Sequence, residues 1–432
     1  RSSPVQAKAL IVGGGVMGAS IALQLARRCH PYKQPVVLLE KGQMGGGSSG
    51  SSGALLRQHY EERAIASVAR DSIREYAGFE AKTGRSVGFR RTGVLTIAGP
   101  EAPRMMERVR SNIAAQAKIG IRTALLDAAG IRQRIPGIEV HDQAIGAWEP
   151  GGGYVDPQLC LREFAALART YGAATRTGVD IEGLQVSNGR VHGVQTSQGE
   201  VRAEQVVIVA GAWSRRLLEP HGVLLPVRVA RVEQHFLSLP GETPEAGQES
   251  AIPAVNLEDP LEEEAERLRH TEEPLVGAEH PVLIDLEYGY YARPEPLLRR
   301  TRICPIVYER GQIFDEPTRD LSISEARARE AREKLCRRLP FYRDQAPAGS
   351  QVSWFPLTPD GRAVMGAVPQ IEGLFVATGF ADHGFKLAPS VGEGMAQLMT
   401  GEALSAFDKD YFGLQRFNRP PADEDWSGTL FL

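Results

Sequence analysis

Three glycines near the start of the chain most constrain what it can fold into. Gly13, Gly15 and Gly18 stand between a continuous apolar run, residues 9–12, and a segment with helical apolar rhythm, residues 19–28. A strand that ends in GxGxxG and opens directly into a helix is the context of a dinucleotide site. The first glycine permits the tight turn, the second lets backbone amides approach a pyrophosphate, and the third allows helix and strand to pack closely. Val16 and Met17 then open the helix, whose unpaired N–H groups favour phosphate charge. Residues 36–39 form a second buried strand, followed by Glu40 and Lys41. A carboxylate at Glu40 suits ribose hydroxyls and argues against a 2′-phosphate, so NADP is disfavoured. This βαβ beginning does not separate FAD from NAD.

The rest of the chain alternates in character. Residues 42–53 are nearly all Gly and Ser, and their place after the second strand makes them a ligand-facing loop. Helices are expected within 59–83, 101–119 and 158–171, and strands over 93–98, 175–181, 191–196 and 206–210. The middle reads as longer, half-exposed antiparallel strands over 234–239, 282–291 and 297–306. Residues 241–280 form an acidic insertion, a solvated face or a docking surface for a partner subunit. Helix 323–338 has a capping box in Ser322 and Glu325. A strand–turn–helix spans 374–399.

At 432 residues the chain is long for a single core, and two or three domains are expected. A net charge of -3 gives no pull toward nucleic acid or anionic membrane. No apolar run reaches the length of a membrane helix. The four cysteines, Cys29, Cys160, Cys304 and Cys336, form no CxxC pair, and no metal site is indicated. They read as free thiols of a reducing compartment, the cytoplasm, or the mitochondrial matrix if a leader preceded Arg1.

Four stretches together carry a resemblance: the GxGxxG with Glu40; Ser48, Ser49, Ser52 and Gly53 followed by Arg57-Gln58-His59-Tyr60; Val207 to Ser214; and Thr358-Pro359-Asp360-Gly361 with Ala377 to Lys386. The chain resembles the D-amino-acid oxidase-like flavoproteins, nearest the branch of sarcosine oxidase and dimethylglycine dehydrogenase. The resemblance implies an α/β (α+β) fold: a discontinuous, Rossmann-like FAD-binding domain (1–86, 151–230 and 350–432) and a substrate domain (87–150 and 231–349) whose mixed or antiparallel sheet roofs the flavin. It implies that Ser48, Ser49, Ser52, Gly53, Ala210, Gly211 and Trp213 line the flavin or pyrophosphate. Val179 would contact adenine through its backbone, and Gly361, Gly379, Gly384, Phe385 and Lys386 would lie beside the isoalloxazine.

By the same resemblance, the activity is oxidation of a small amino acid or a secondary or tertiary amine, with Arg57 and Lys386 holding a substrate carboxylate. Of the adjacent Tyr290 and Tyr291, strand alternation sends one toward the flavin, and Tyr291 is chosen. His383 neighbours the flavin; His59 and His235 have no assigned role. Ser353 stands where some sarcosine oxidases carry a cysteine linked to FAD, so noncovalent FAD is expected. The oxidases also carry a roof-sheet lysine that helps oxygen accept electrons. Leu298 is the nearest equivalent here, with Arg299 and Arg300 as alternative cations. This favours a dehydrogenase that passes electrons to a quinone or a protein acceptor. Two alternatives stay open: a 2-hydroxy-acid dehydrogenase with His383 as base, and a flavin-binding assembly factor or subunit of a larger complex.

Overall fold

The computed structural model describes residues 5–240, 280–417, 419–422 and 426. Of the acidic insertion only His280 lies among them; a docking role for residues 241–279 falls outside the described residues. β1 (Val5–Val12), α1 (Val16–Cys29) and β2 (Val36–Leu39) form the expected opening unit. β1 is the centre of a largely parallel sheet. It pairs with β2 on one side and with Gly199–Ile208 on the other, and Leu374–Thr378 extends the sheet beyond that strand. Strands covered on both faces read as unbroken apolar runs, and residues 9–12 and 36–39 are buried throughout.

The C-terminal helix Gly384–Thr400 packs against α1 through small residues. A Cβ on Gly392 would lie 2.2 Å from Ser20 Oγ, and that hydroxyl donates to Ala388 O at 2.7 Å. Pro389 sits inside this helix and has no N–H to give the carbonyl four residues earlier. That carbonyl, Phe385 O, instead accepts from the Tyr76 hydroxyl at 2.8 Å.

The second sheet has nine strands. The long strands Arg228–Ser238 and Pro347–Leu357 pair antiparallel along most of their length, and a single parallel pairing joins Val94–Ala98 to Val282–Asp285. Residues 234–239, 282–291 and 297–306 were expected to form half-exposed strands; the strands found there, within Arg228–Ser238, Val282–Asp285, Tyr290–Glu295 and Arg300–Pro305, are buried on both faces. One face, with Leu283, Tyr290 and Ile303, packs on Leu335, Leu339 and Tyr342. The other, with Ile284, Tyr291 and Ile306, packs on Leu55 and Tyr154.

Several boundaries differ from the sequence reading, each for a local reason. Residues 175–181 are not one strand: Gly178 turns the chain at φ 68, and the Val179 amide donates to Glu40 O. Residues 282–291 break into Val282–Asp285 and Tyr290–Glu295 because Asp285 Oδ1 accepts from the amides of Glu287 and Tyr288, both at 3.0 Å. Residues 297–299 form a tight turn, with Arg299 left-handed, before strand Arg300–Pro305. The cap of helix Glu325–Arg338 is Ser324, not Ser322: Ser324 Oγ accepts from Arg327 N, while Ser322 O is taken by Arg231. With Arg327 three residues beyond the cap, there is no reciprocal capping box. Among the described residues no helix is long and apolar enough to cross a membrane.

Candidate active site

An elongated cleft of about 1420 Å³, its open mouth included, runs along the C-terminal ends of the parallel strands. Gly13, Gly15, Val16 and Met17 form its floor. Gly13 has φ 122, and a Cβ there would meet Val209 O at 2.5 Å; a Cβ on Gly18 would lie 1.9 Å from Gly13 O. Gly18 therefore lies under the turn and does not line the cleft, as a packing glycine should. Gly15, the residue before α1, offers no side-chain cap, and the first turn of α1 carries no acidic residue. The positive end of the helix dipole thus faces the cleft, where it favours an anionic guest.

Glu40 lines the cleft with both oxygens engaged: Oε2 accepts from Gly14 N at 2.7 Å and Oε1 from Gly42 N at 2.8 Å. The acid fastens the glycine turn to the following loop while facing the ribose position. Lys41, Ser48, Ser49, Ser52, Ala210, Gly211, Trp213, Gly384 and Phe385 also line the cleft. Ser49 Oγ accepts from Val16 N at 3.0 Å, joining loop to helix.

Val179 is not in the lining; its amide is used by Glu40 O, and its neighbours Asp180 and Ile181 face the cleft instead. Gly361 closes the turn from Thr358, and Gly379 packs on Thr358, where a Cβ would lie 2.6 Å from Cγ2. Neither lines the cleft. Phe355, Pro356, Phe380 and Asp382 do. No local motif announces Phe355 and Pro356; the long strand that carries them reaches the cleft only through its pairing with Arg228–Ser238.

A second, smaller pocket of about 280 Å³ adjoins the cleft, with Asp382 lining both. Leu55, Arg57, Ile284, Tyr291, Ile306 and Lys386 complete it. Arg57, Tyr291 and Lys386 are thus brought together, while Tyr290 lies in the core on the opposite face. Gly53 does not line either cavity; it yields to Tyr291, whose hydroxyl would lie 2.4 Å from a Cβ there.

Arg57 is buried, bonds His59 O and stacks 4.2 Å over the Tyr60 ring. Lys386 is buried with one hydrogen bond from Nζ among the described residues, to Asp382 O at 3.3 Å. Burial lowers its pKa to about 8, although Asp382 opposes the shift. Tyr60 Oη meets His383 Nδ1 at 2.9 Å. Burial holds His383 down at about 3, so the ring is neutral. His383 supports this wall from behind and lines neither cavity.

Two carboxylates complete the surroundings. Glu149 accepts from Gln58 N at 2.6 Å, and burial pushes its pKa up to about 7 against the pull of that amide and of Arg57. Its position at the end of a strand gives no sequence signal. On the roof, Glu295 is held down at about 2 despite burial, because Arg302, Arg293 and Arg300 surround it. Arg302 and Arg293 continue to the glycine-serine loop, donating to Ser51 O and Gly53 O, each at 2.7 Å. Leu298 does not face the flavin side; it is 51% exposed on the turn, and Arg302 and Arg293 are the cations of this hairpin that reach the loop.

A family model described as "FAD dependent oxidoreductase" matches residues 8–398. The chain belongs to the DAO family of FAD-dependent oxidoreductases. This DAO-family chain is 25% identical over 418 residues to human peroxisomal sarcosine oxidase, covering 95% of this chain and 96% of that protein. It is 27% identical over 293 residues to mouse mitochondrial dimethylglycine dehydrogenase, covering 67% of this chain but 29% of that longer protein. The L-proline dehydrogenase of P. horikoshii shares the fold, with a TM-score of 0.79 at 22% identity over 96% of this chain and 99% of that one. Glycine oxidase from Geobacillus kaustophilus does so at 0.75, with 22% identity over 96% of this chain and 100% of that one. The family implies FAD, and the cleft and its glycine turn fit that cofactor.

Proposed function

We propose that this protein oxidises a small amino acid or a secondary or tertiary amine, binding FAD noncovalently and acting as a dehydrogenase rather than an oxidase. The observation that carries the substrate class is the convergence of Arg57 and Lys386 in one small pocket beside the cofactor cleft. Two buried cations at one wall of a pocket suit an anionic guest. Arg57 offers a planar donor face and Lys386 a point charge with unused donors, a fit to one carboxylate. Leu55, Ile284 and Ile306 exclude water and restrict the guest to a short alkyl chain. Tyr291 closes the pocket from the roof. When bound, FAD would supply the two-electron acceptor for oxidation at the carbon next to nitrogen.

Supporting noncovalent attachment, no cysteine or histidine lines the cleft among the described residues, and Ser353 is bonded to Gln234. Supporting a dehydrogenase, the lysines that line the two cavities are Lys41 and Lys386, neither on the roof sheet. A quinone or a protein would then accept the electrons. The 2-hydroxy-acid reading loses ground because its base, His383, is buried behind Tyr60. A regulatory or assembly role has one point in its favour: mouse pyruvate dehydrogenase phosphatase regulatory subunit is 23% identical over 96% of this chain.

The test is an anaerobic absorbance titration of the holoprotein with N-methylated glycines, proline, D- and L-amino acids and 2-hydroxy acids. Bleaching of the oxidised flavin band by an amine supports the proposal, and slow recovery in air with fast recovery on a quinone supports a dehydrogenase. Flavin that no amine bleaches would overturn the enzyme reading in favour of the regulatory one.

A further inference from the structure

Asp382 is the one carboxylate that lines both cavities. Its Oδ1 is buried and has no hydrogen-bond partner among the described residues; His383 Nε2 lies 3.4 Å away without the alignment of a bond. A buried, unsatisfied carboxylate oxygen is costly unless a ligand completes it. The backbone is bent to place it there. Ala381, the preceding residue, is left-handed at φ 49, a conformation that residues with a side chain adopt rarely. It is held so by its amide, which donates to Pro356 O at 2.9 Å. Such strain persists where the surroundings impose it, and it gathers at ligand sites.

The charges around Asp382 are arranged by sign. Arg57 and Lys386 supply two cations, and the Asp382 carboxylate faces the same small space. The Asp382 carbonyl also takes the Lys386 ammonium, so the turn before the helix and the helix's first turn carry opposite signs. Burial would raise the carboxyl's pKa, but the Lys386 ammonium foremost, with Arg57, outweighs it and keeps the group ionised.

We propose that Asp382 recognises the substrate's amino group. Resting on the amine-oxidation reading above, its carboxylate pairs with the cationic N–H of a small zwitterion whose own carboxylate lies on Arg57 and Lys386. The pocket thereby selects amino acids over carboxylic acids of the same size that lack the nitrogen. Walls of Leu55, Ile284 and Ile306 fit an N-methyl group or a short ring.

The experiment compares two ligands in the wild-type and Asp382→Asn holoproteins under anaerobic conditions. One is N-methylglycine; the other is the thioether acid of the same length, with sulfur in place of the amine. Apparent dissociation constants come from the ligand dependence of the flavin spectrum and of its bleaching. Wild type should prefer the amine, and Asp382→Asn should weaken the amine roughly tenfold or more, as expected for a charge-assisted hydrogen bond, while binding the thioether acid at least as tightly as wild type does. Equal losses for both ligands, or none for either, would overturn the assignment. A changed spectrum or flavin content in unliganded Asp382→Asn, without loss of amine preference, would give Asp382 to the cofactor instead. Should Asp382→Asn not fold, wild type alone decides: indifference between the two ligands refutes the proposal. If neither ligand perturbs the wild-type flavin while other panel compounds bleach it, the proposal fails and amine oxidation stands; if nothing bleaches it, the wider reading fails first.

Discussion

The cofactor cleft and the small pocket beside it are built on different principles. The cleft is lined largely by backbone and small residues from contiguous stretches, 12–17, 39–42 and 209–213 among them. The pocket is lined by side chains drawn from four distant places: Leu55 and Arg57, Ile284 and Tyr291, Ile306, and Asp382 with Lys386. A backbone site depends most on close approach, as at Gly13 and Gly18, where a Cβ would strike a carbonyl. A side-chain site tolerates shape changes but depends on each charge.

The sharpest way to break this contrast is Gly18→Val. Added carbon meets the Gly13 carbonyl, so purified protein should lose nearly all its flavin, read from the ratio of flavin to protein absorbance. Retained flavin would mean that the turn is not the phosphate site. The opposite pattern is expected for Arg57→Ala and Lys386→Ala. Each should weaken an amino-acid substrate by about 1.5–3 kcal/mol with flavin content unchanged, as measured by anaerobic titration. Unaltered affinity in both variants would remove the carboxylate from the pocket.

Titration sharpens the comparison further. Lys386 carries its charge below its pKa of about 8 and loses it above. Glu149 is neutral below about 7 and becomes an anion above. Both changes make the pocket less positive as pH rises, so affinity for a simple carboxylic acid should fall through pH 7–8. FAD binding should stay flat. Glu149→Gln should remove the lower step, and a profile unchanged by that substitution would place Glu149 out of electrostatic reach. At the small end, Ser324→Ala should cost about 1 kcal/mol of stability through the lost helix cap, read as a lower Tm with neither site affected. Leu298→Lys, on the exposed turn, should stay within about 0.5 kcal/mol and leave flavin reoxidation by oxygen unaltered.

The same contrast explains what the sequence made legible. The glycine turn, Glu40 and the 42–53 loop could be read because their geometry is local: spacing alone states where backbone must bend and approach. Arg57, Lys386 and Tyr291 were found through resemblance and strand alternation, not through any local rule. Asp382 lies inside a stretch that was recognised, yet nothing in its neighbours says that its oxygen would be left without a partner. Glu149 is invisible in sequence because its partner amide, Gln58 N, is 91 residues away. The roof strands misread as half-exposed show the same limit. Alternation reports that the two faces differ, not that helix 325–338 covers one and the 55–57 segment the other.

The Ser51 carbonyl has a further consequence. It accepts from Arg302, Gln234 and Gln351, three side chains of the roof, so the sheet above grips the loop that faces the flavin from behind. The loop is therefore set before any guest arrives, and association does not have to supply the entropy of fixing it. It also ties two compartments mechanically. The roof strands and the loop beneath are thereby one mechanical unit, held through a single carbonyl.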